Sequence, residues 1–163
     1  MHELGLLMLL TASALIGNQY AKSLEMRVKR LVILEKCCTE IETELRFLLP
    51  TIPRLLQILA SRTTFSSLRF LKTAAEHAEQ YPNCWRDALA ADKQISSEER
   101  AILYALGDVL GTTDLEGQLA VLEQGKARFA TIRTDLEQDL HMRTRLVRSL
   151  GVFGGLFLVL ILI

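Results

Sequence analysis

Leu150-Gly-Val-Phe-Gly-Gly-Leu-Phe-Leu-Val-Leu-Ile-Leu-Ile163 carries no charged residue, and Arg143, Arg145 and Arg148 stand just before it. As a helix this stretch reaches roughly 21 Å, against about 30 Å for a hydrocarbon core. Counted from Leu146, with Arg148 snorkelling to the headgroups, it gains a turn and suits a locally thinned bilayer. A buried terminal core helix is the alternative, but such a helix would carry a polar stripe and this one has none. Residues 149–163 therefore read as a C-terminal transmembrane segment, entered through Arg145, Arg148, Leu150 and Gly151.

The other end mirrors it. Leu4 to Ala21 is also free of charge and long enough to span. Asn18, Gln19 and Tyr20 fall at interface depth, and Lys22, Arg27, Lys29 and Arg30 follow. Ala12-Ser-Ala14 has the pattern of a signal-peptidase site, but Met1, His2 and Glu3 supply no basic n-region. Every Lys and Arg lies between Lys22 and Arg148. Basic flanks stay on the cytoplasmic side, so the sequence predicts a protein of the cell membrane with two spans. These are an N-terminal segment, 1–21, and the C-terminal one, with a cytoplasmic helical domain, 22–148, between them. Gly151, Gly154 and Gly155 form a small-residue face on which another helix could pack.

Formal net charge is zero, so no basic field points to nucleic acid. Cys37, Cys38 and Cys84 are an odd number without metal-ligand spacing and read as reduced thiols. Strand patterns are scarce.

The middle reads as about six helices. Leu24, Val28, Leu31, Leu34, Cys38, Ile41, Leu45 and Leu48 recur at spacings of three and four, which predicts a helix over 24–49. It continues from the first span without a break. Glu35, Glu40, Glu42 and Glu44 read as part of its solvated side rather than as a general-acid pair. Pro50 and Pro53 interrupt, and Thr51 caps a helix over 52–61 that faces inward with Ile52, Leu55, Leu56 and Leu59. Ser66 or Ser67 opens a third helix to Gln80, with Leu68, Leu71, Ala75 and Ala78 inward. Asn83 caps a fourth over 84–91, with Trp85 as a core anchor. Ser96 and Glu99 form a capping box for the fifth. Gly111 sits where a left-handed C-cap is wanted, and Thr113 or Asp114 caps the last helix. Leu115, Leu119, Leu122, Phe129, Ile132, Leu136, Leu140 and Val147 carry that helix toward the membrane, with Gly125 as its weak point. First and last helices are expected to lie antiparallel in an all-α bundle.

No phosphate loop or zinc-protease helix is present, and His2, His77 and His141 are scattered. Asp108, Asp114 and Glu116 flank one turn and could meet a cation, though helix caps account for two of them. The sequence offers no catalytic constellation, cofactor motif or small-molecule site.

Three stretches resemble a known family: Trp85 followed by Asp87-Ala-Leu89, Leu106-Gly-Asp-Val-Leu-Gly-Thr-Thr-Asp-Leu-Glu-Gly-Gln118, and Leu146-Val-Arg-Ser-Leu-Gly-Val-Phe-Gly-Gly-Leu156. Together with the first apolar run they are similar to stage III sporulation protein AB over nearly the whole chain. Trp85, Leu110, Gly111, Asp114 and Gln118 carry the signature; Phe47-Leu-Leu-Pro-Thr-Ile-Pro53 departs from the family pattern. The resemblance implies a part in endospore formation, among the stage III components that build a channel between mother cell and forespore. It also implies a helical domain similar to the inner-membrane platform proteins of type II secretion and type IV pilus systems. Such a platform docks a secretion-type ATPase, here the sporulation ATPase (stage III sporulation protein AA), and works mechanically, not chemically. Gly111 to Gln118 is the candidate structural signature, and whether it is also a partner contact stays open. The alternatives are a membrane-bound enzyme with a dispersed site, or a secreted helical protein cleaved after Ala14.

Overall fold

A computed structural model describes the backbone of residues 2–162 and the side chains of residues 22–140 and 142. Six α-helices follow one another: α1 (His2–Phe47), α2 (Ile52–Ser61), α3 (Arg69–Glu76), α4 (Asn83–Ala91), α5 (Ser97–Val109) and α6 (Leu115–Leu162). Two 3-10 turns, Thr63–Phe65 and Ala78–Gln80, fill the connections on either side of α3. No strand occurs among the described residues, as the scarcity of alternating patterns implied. The chain divides into two compact units, residues 30–132 and residues 1–29 with 133–163.

Unit 30–132 holds the main core. Leu31, Leu34, Cys37, Cys38, Ile41 and Leu45 of α1 are buried, at the spacing of one helical stripe. Leu48, expected on that stripe, is exposed because the helix stops at Phe47. Pro50 disfavours a helical conformation at Leu49, so the helix cannot run to 49. The N–H groups of Leu48 and Leu49 instead both donate to Glu44 O, at 2.9 and 3.1 Å.

Helix α2 has the expected bounds, with Pro53 in its first turn, and buries Leu55, Leu56 and Leu59. Thr51 occupies its N-cap position without a side-chain hydrogen bond. Helix α3 begins later than Ser66 or Ser67 because Thr63–Phe65 has already coiled tightly. Leu68, Leu71 and Ala78 are buried as expected, Phe70 and Ala74 are buried with them, and Ala75 is half-buried. Asn83 is the first residue of α4, and Pro82, not Asn83, stands at the cap. The α5 capping box forms fully: Ser96 Oγ accepts from Glu99 N, and Glu99 Oε2 from Ser96 N, both at 3.3 Å. Helices α2 and α3, α3 and α4, and α4 and α5 pack pairwise. Leu122, Phe129 and Ile132 of α6 are also buried.

In the other unit Leu24 and Leu136 are buried, and Arg133 Nη1 donates to Glu137 Oε1 at 3.2 Å. Among the described residues no helix is long and apolar enough to cross a membrane. The apolar runs 4–21 and 150–163, on which the two expected spans fall, have no described side chains and lie outside that statement.

Candidate functional site

Four of the signature residues, Leu110, Gly111, Asp114 and Gln118, lie at one turn. Leu110 ends α5 with its N–H bonded to Leu106 O at 3.0 Å, and its side chain is buried. Gly111 then adopts φ +76°, which favours glycine because a Cβ would crowd the neighbouring backbone. Gln118, one turn into α6, reaches back. Its Oε1 accepts from Gly111 N at 3.2 Å and its Nε2 donates to Thr113 O at 2.8 Å. Both ends of a nearly buried amide are thereby satisfied, and the turn is closed from inside. Asp114 is exposed, and its carbonyl accepts from Gln118 N at 3.1 Å. Hydrogen bonding and capping explain Gly111 and Gln118 without a partner.

Trp85 lies elsewhere, in the interior. Its Nε1 donates to Leu103 O at 2.8 Å, and its ring meets Phe70 edge-on at 5.3 Å between centroids. Gly107 makes the slot: a Cβ there would fall 2.3 Å from Trp85 Cδ1. Tyr81 Oη donates to Gly107 O, so the same residue also receives the turn before α4. The core-anchor reading of Trp85 holds, but the role of Gly107 was missed. Of the membrane-entry residues, Lys22 is exposed; the side chains of Arg145, Arg148 and Leu150, and Gly151, lie outside the described residues.

Glu40, Glu42 and Glu44 are not a solvated face. Glu44 is buried, and Arg62 Nη2 bridges Glu40 Oε1 at 2.5 Å and Glu44 Oε1 at 2.9 Å. Glu42 takes Lys126 Nζ at 2.5 Å and Arg46 Nη2 at 2.9 Å. Those bonds, from Lys126 first and Arg46 second, hold its carboxyl below the usual carboxylate range. Sequence could show the face but not its cover, since Arg62 follows the end of α2 and Lys126 lies on α6. Asp108 is likewise committed, to Arg86 Nη2 at 2.6 and 2.8 Å. Among the described residues no set of three or more His, Cys, Asp or Glu could hold a metal ion.

The three cysteines are free and buried. Burial, reinforced by the neighbouring Cys38 and Glu40, raises the Cys37 thiol well above its ordinary value. Burial also pushes Cys38 up to about 12 and raises Cys84. These are protonated, unactivated thiols at neutral pH.

One surface stands out. Phe47, Leu48 and Leu49 are 79, 69 and 65% exposed, three large apolar side chains in a row. Leu49 has φ 43°, a left-handed conformation that costs a leucine about 1 kcal/mol or more. Two residues past Pro50, Ile52 packs against Gly111, so the α1–α2 and α5–α6 turns adjoin. Residues 45–75 hold five basic side chains, Arg46, Arg54, Arg62, Arg69 and Lys72, and no carboxylate. Arg54, Arg69 and Lys72 are exposed. Pro50 and the acid-free run were the available signals for this surface; assigning Leu48 to the buried stripe hid it.

A protein-family model described as stage III sporulation protein AB matches residues 3–163. No curated protein and no solved structure matches the chain.

Proposed function

The chain belongs to the stage III sporulation protein AB family, and on that premise we propose that it is a non-enzymatic, membrane-anchored platform. It holds a helical domain at the cell membrane, on the mother-cell side, and docks the secretion-type ATPase of the channel between mother cell and forespore. Membership of the family gives the role in stage III of sporulation; the scaffold, the docking and the channel are our reading. The observation that carries it is the exposed apolar segment Phe47–Leu49 on an otherwise well-packed helical unit, the mark of a surface made for a macromolecule. Two further features support it. The described cysteines are unactivated thiols. The uncharged runs 4–21 and 150–163, each with its basic flank toward the middle of the chain, suit anchors at both ends. The likeness to type II secretion and type IV pilus platform proteins that the family resemblance implies supplies the mechanical model, in which the domain positions the ATPase or passes on its motion.

The test is genetic. A strain lacking the gene should complete forespore engulfment, scored with a membrane dye, and then fail to yield heat-resistant spores. Normal sporulation without a compensating paralogue would refute the role. Cysteine labelling from either side of the membrane tests the topology: a probe at Lys22 should be reached only from the cytoplasm.

A further inference from the structure

We infer that Phe47, Leu48 and Leu49 form a preorganised plug that enters an apolar pocket rimmed by carboxylates on a partner protein. The inference rests on the platform reading and names the surface through which the platform docks.

Three observations define that partner. Its pocket is apolar, because three consecutive large side chains stand mostly in water with nothing of the described chain covering them. Its rim is acidic. Arg54 is exposed four residues past Pro50 and no described side chain pairs with it, whereas Arg46 and Arg62 are already held by the carboxylates of Glu42 and of Glu40 and Glu44. A second copy offers Arg54 no carboxylate from residues 45–75, which disfavours a symmetric dimer through the plug. Its pocket also has a fixed shape. Leu49 is held left-handed, the N–H groups of Leu48 and Leu49 converge on Glu44 O, and Ile52 is seated against Gly111. A fluid bilayer rewards apolar area whatever its conformation, whereas a shaped pocket rewards a segment already fixed. This favours protein over lipid.

The experiment uses the full chain in detergent micelles and the purified sporulation ATPase as probe, with affinity measured at low and high salt. The wild-type chain should bind, and more weakly as salt rises. Phe47→Ala should weaken binding about thirtyfold, as for a buried aromatic anchor. Leu49→Gly relieves the left-handed strain, so it should raise the unfolding midpoint while weakening binding about tenfold. Loss of binding with gained stability separates contact from folding. Arg54→Glu should weaken binding and flatten the salt dependence. If the wild-type chain binds and all three variants bind as well as it does, the plug is wrong and the docking reading stands. If the wild-type chain does not bind, docking to this ATPase falls and the plug falls with it. If the substitutions leave ATPase affinity unmoved but abolish capture of phosphatidylglycerol vesicles, the segment is a lipid-binding element and the inference is overturned.

Discussion

Gly107 and Gly125 both sit in helices, and the same substitution at each should move stability in opposite directions. At Gly107 an added Cβ would meet Trp85 Cδ1 at 2.3 Å, Nε1 at 2.5 Å and Cγ at 3.2 Å. The indole has no room to retreat: it is fully buried, braced edge-on by Phe70, and tied to Leu103 O at 2.8 Å. Forcing it aside costs about 1–3 kcal/mol in overpacking. Stranding the Nε1–H inside the core costs about 1–3 kcal/mol more. Alanine recovers at most about 1 kcal/mol of helix propensity, so Gly107→Ala should lose about 3 kcal/mol net.

At Gly125 the added Cβ would stand 3.4 Å from Leu106 Cδ1 and 3.5 Å from both Ile102 Cγ2 and Leu106 Cδ2. Those are ordinary contacts, so Gly125→Ala should keep the propensity gain and stabilise by up to about 1 kcal/mol. The assay is urea unfolding of the full chain in micelles, followed by the fluorescence of its single tryptophan, which is Trp85 itself. The Gly107 variant should also shift the native emission, because its indole has moved. A Gly107→Ala protein as stable as wild type, or a Gly125→Ala protein equally destabilised, would refute the packing argument.

Gln118→Ala should cost about 1–2 kcal/mol, because it frees Gly111 N and Thr113 O at once. Gln118→Glu should not rescue it, since an ionised carboxylate can still accept from Gly111 N but has no proton for Thr113 O; urea midpoints check both. Gly111→Ala should be destabilising through its positive φ and through a Cβ 2.8 Å from Ile52 Cγ1. Ile52→Ala should relieve only the second part, giving a double-mutant cycle with a coupling of about 0.5 kcal/mol or more. For pH, the folded-state pKa of Glu42 is lowered, so its contribution is present above the ordinary carboxylate range and is lost as pH falls through the folded value. Glu42→Gln should therefore flatten the acid limb of a stability–pH curve while leaving its neutral-to-basic limb parallel to wild type.

Periodicity made the helices legible, and it failed where the winding changed. The start of α3 moved to Arg69 because the 3-10 turn Thr63–Phe65 and its C-cap Ser66 come before it, and Phe70 and Ala74 joined the expected Leu71 in the buried face. The capping box at Ser96 and the glycine cap at Gly111 were readable because both are short-range devices whose partners lie within a few residues. Contacts between distant elements were not readable. The acids of α1 looked solvated, since the arginine and lysine that cover them come from the residue that follows α2 and from α6. Gly107 looked like any helical glycine, since the indole that needs its space comes from α4. The apolar end of α1 was absorbed into a stripe that, by Pro50, had already lost its helix.

The signature and the surface are coupled through one contact. Gly111 and Gln118 are used up in building the α5–α6 turn, which leaves them little to offer a partner. Yet Gly111, having no side chain, makes room for Ile52, the first residue of α2. Ile52 in turn fixes where the chain leaves Pro50, and so how Phe47, Leu48 and Leu49 are presented. The α5–α6 turn thus holds the exposed segment in place. That division of labour explains why the residues most suggestive of family membership need not be those that touch a partner. Gly111 acts by the space it leaves, and Phe47 by the water it exposes itself to.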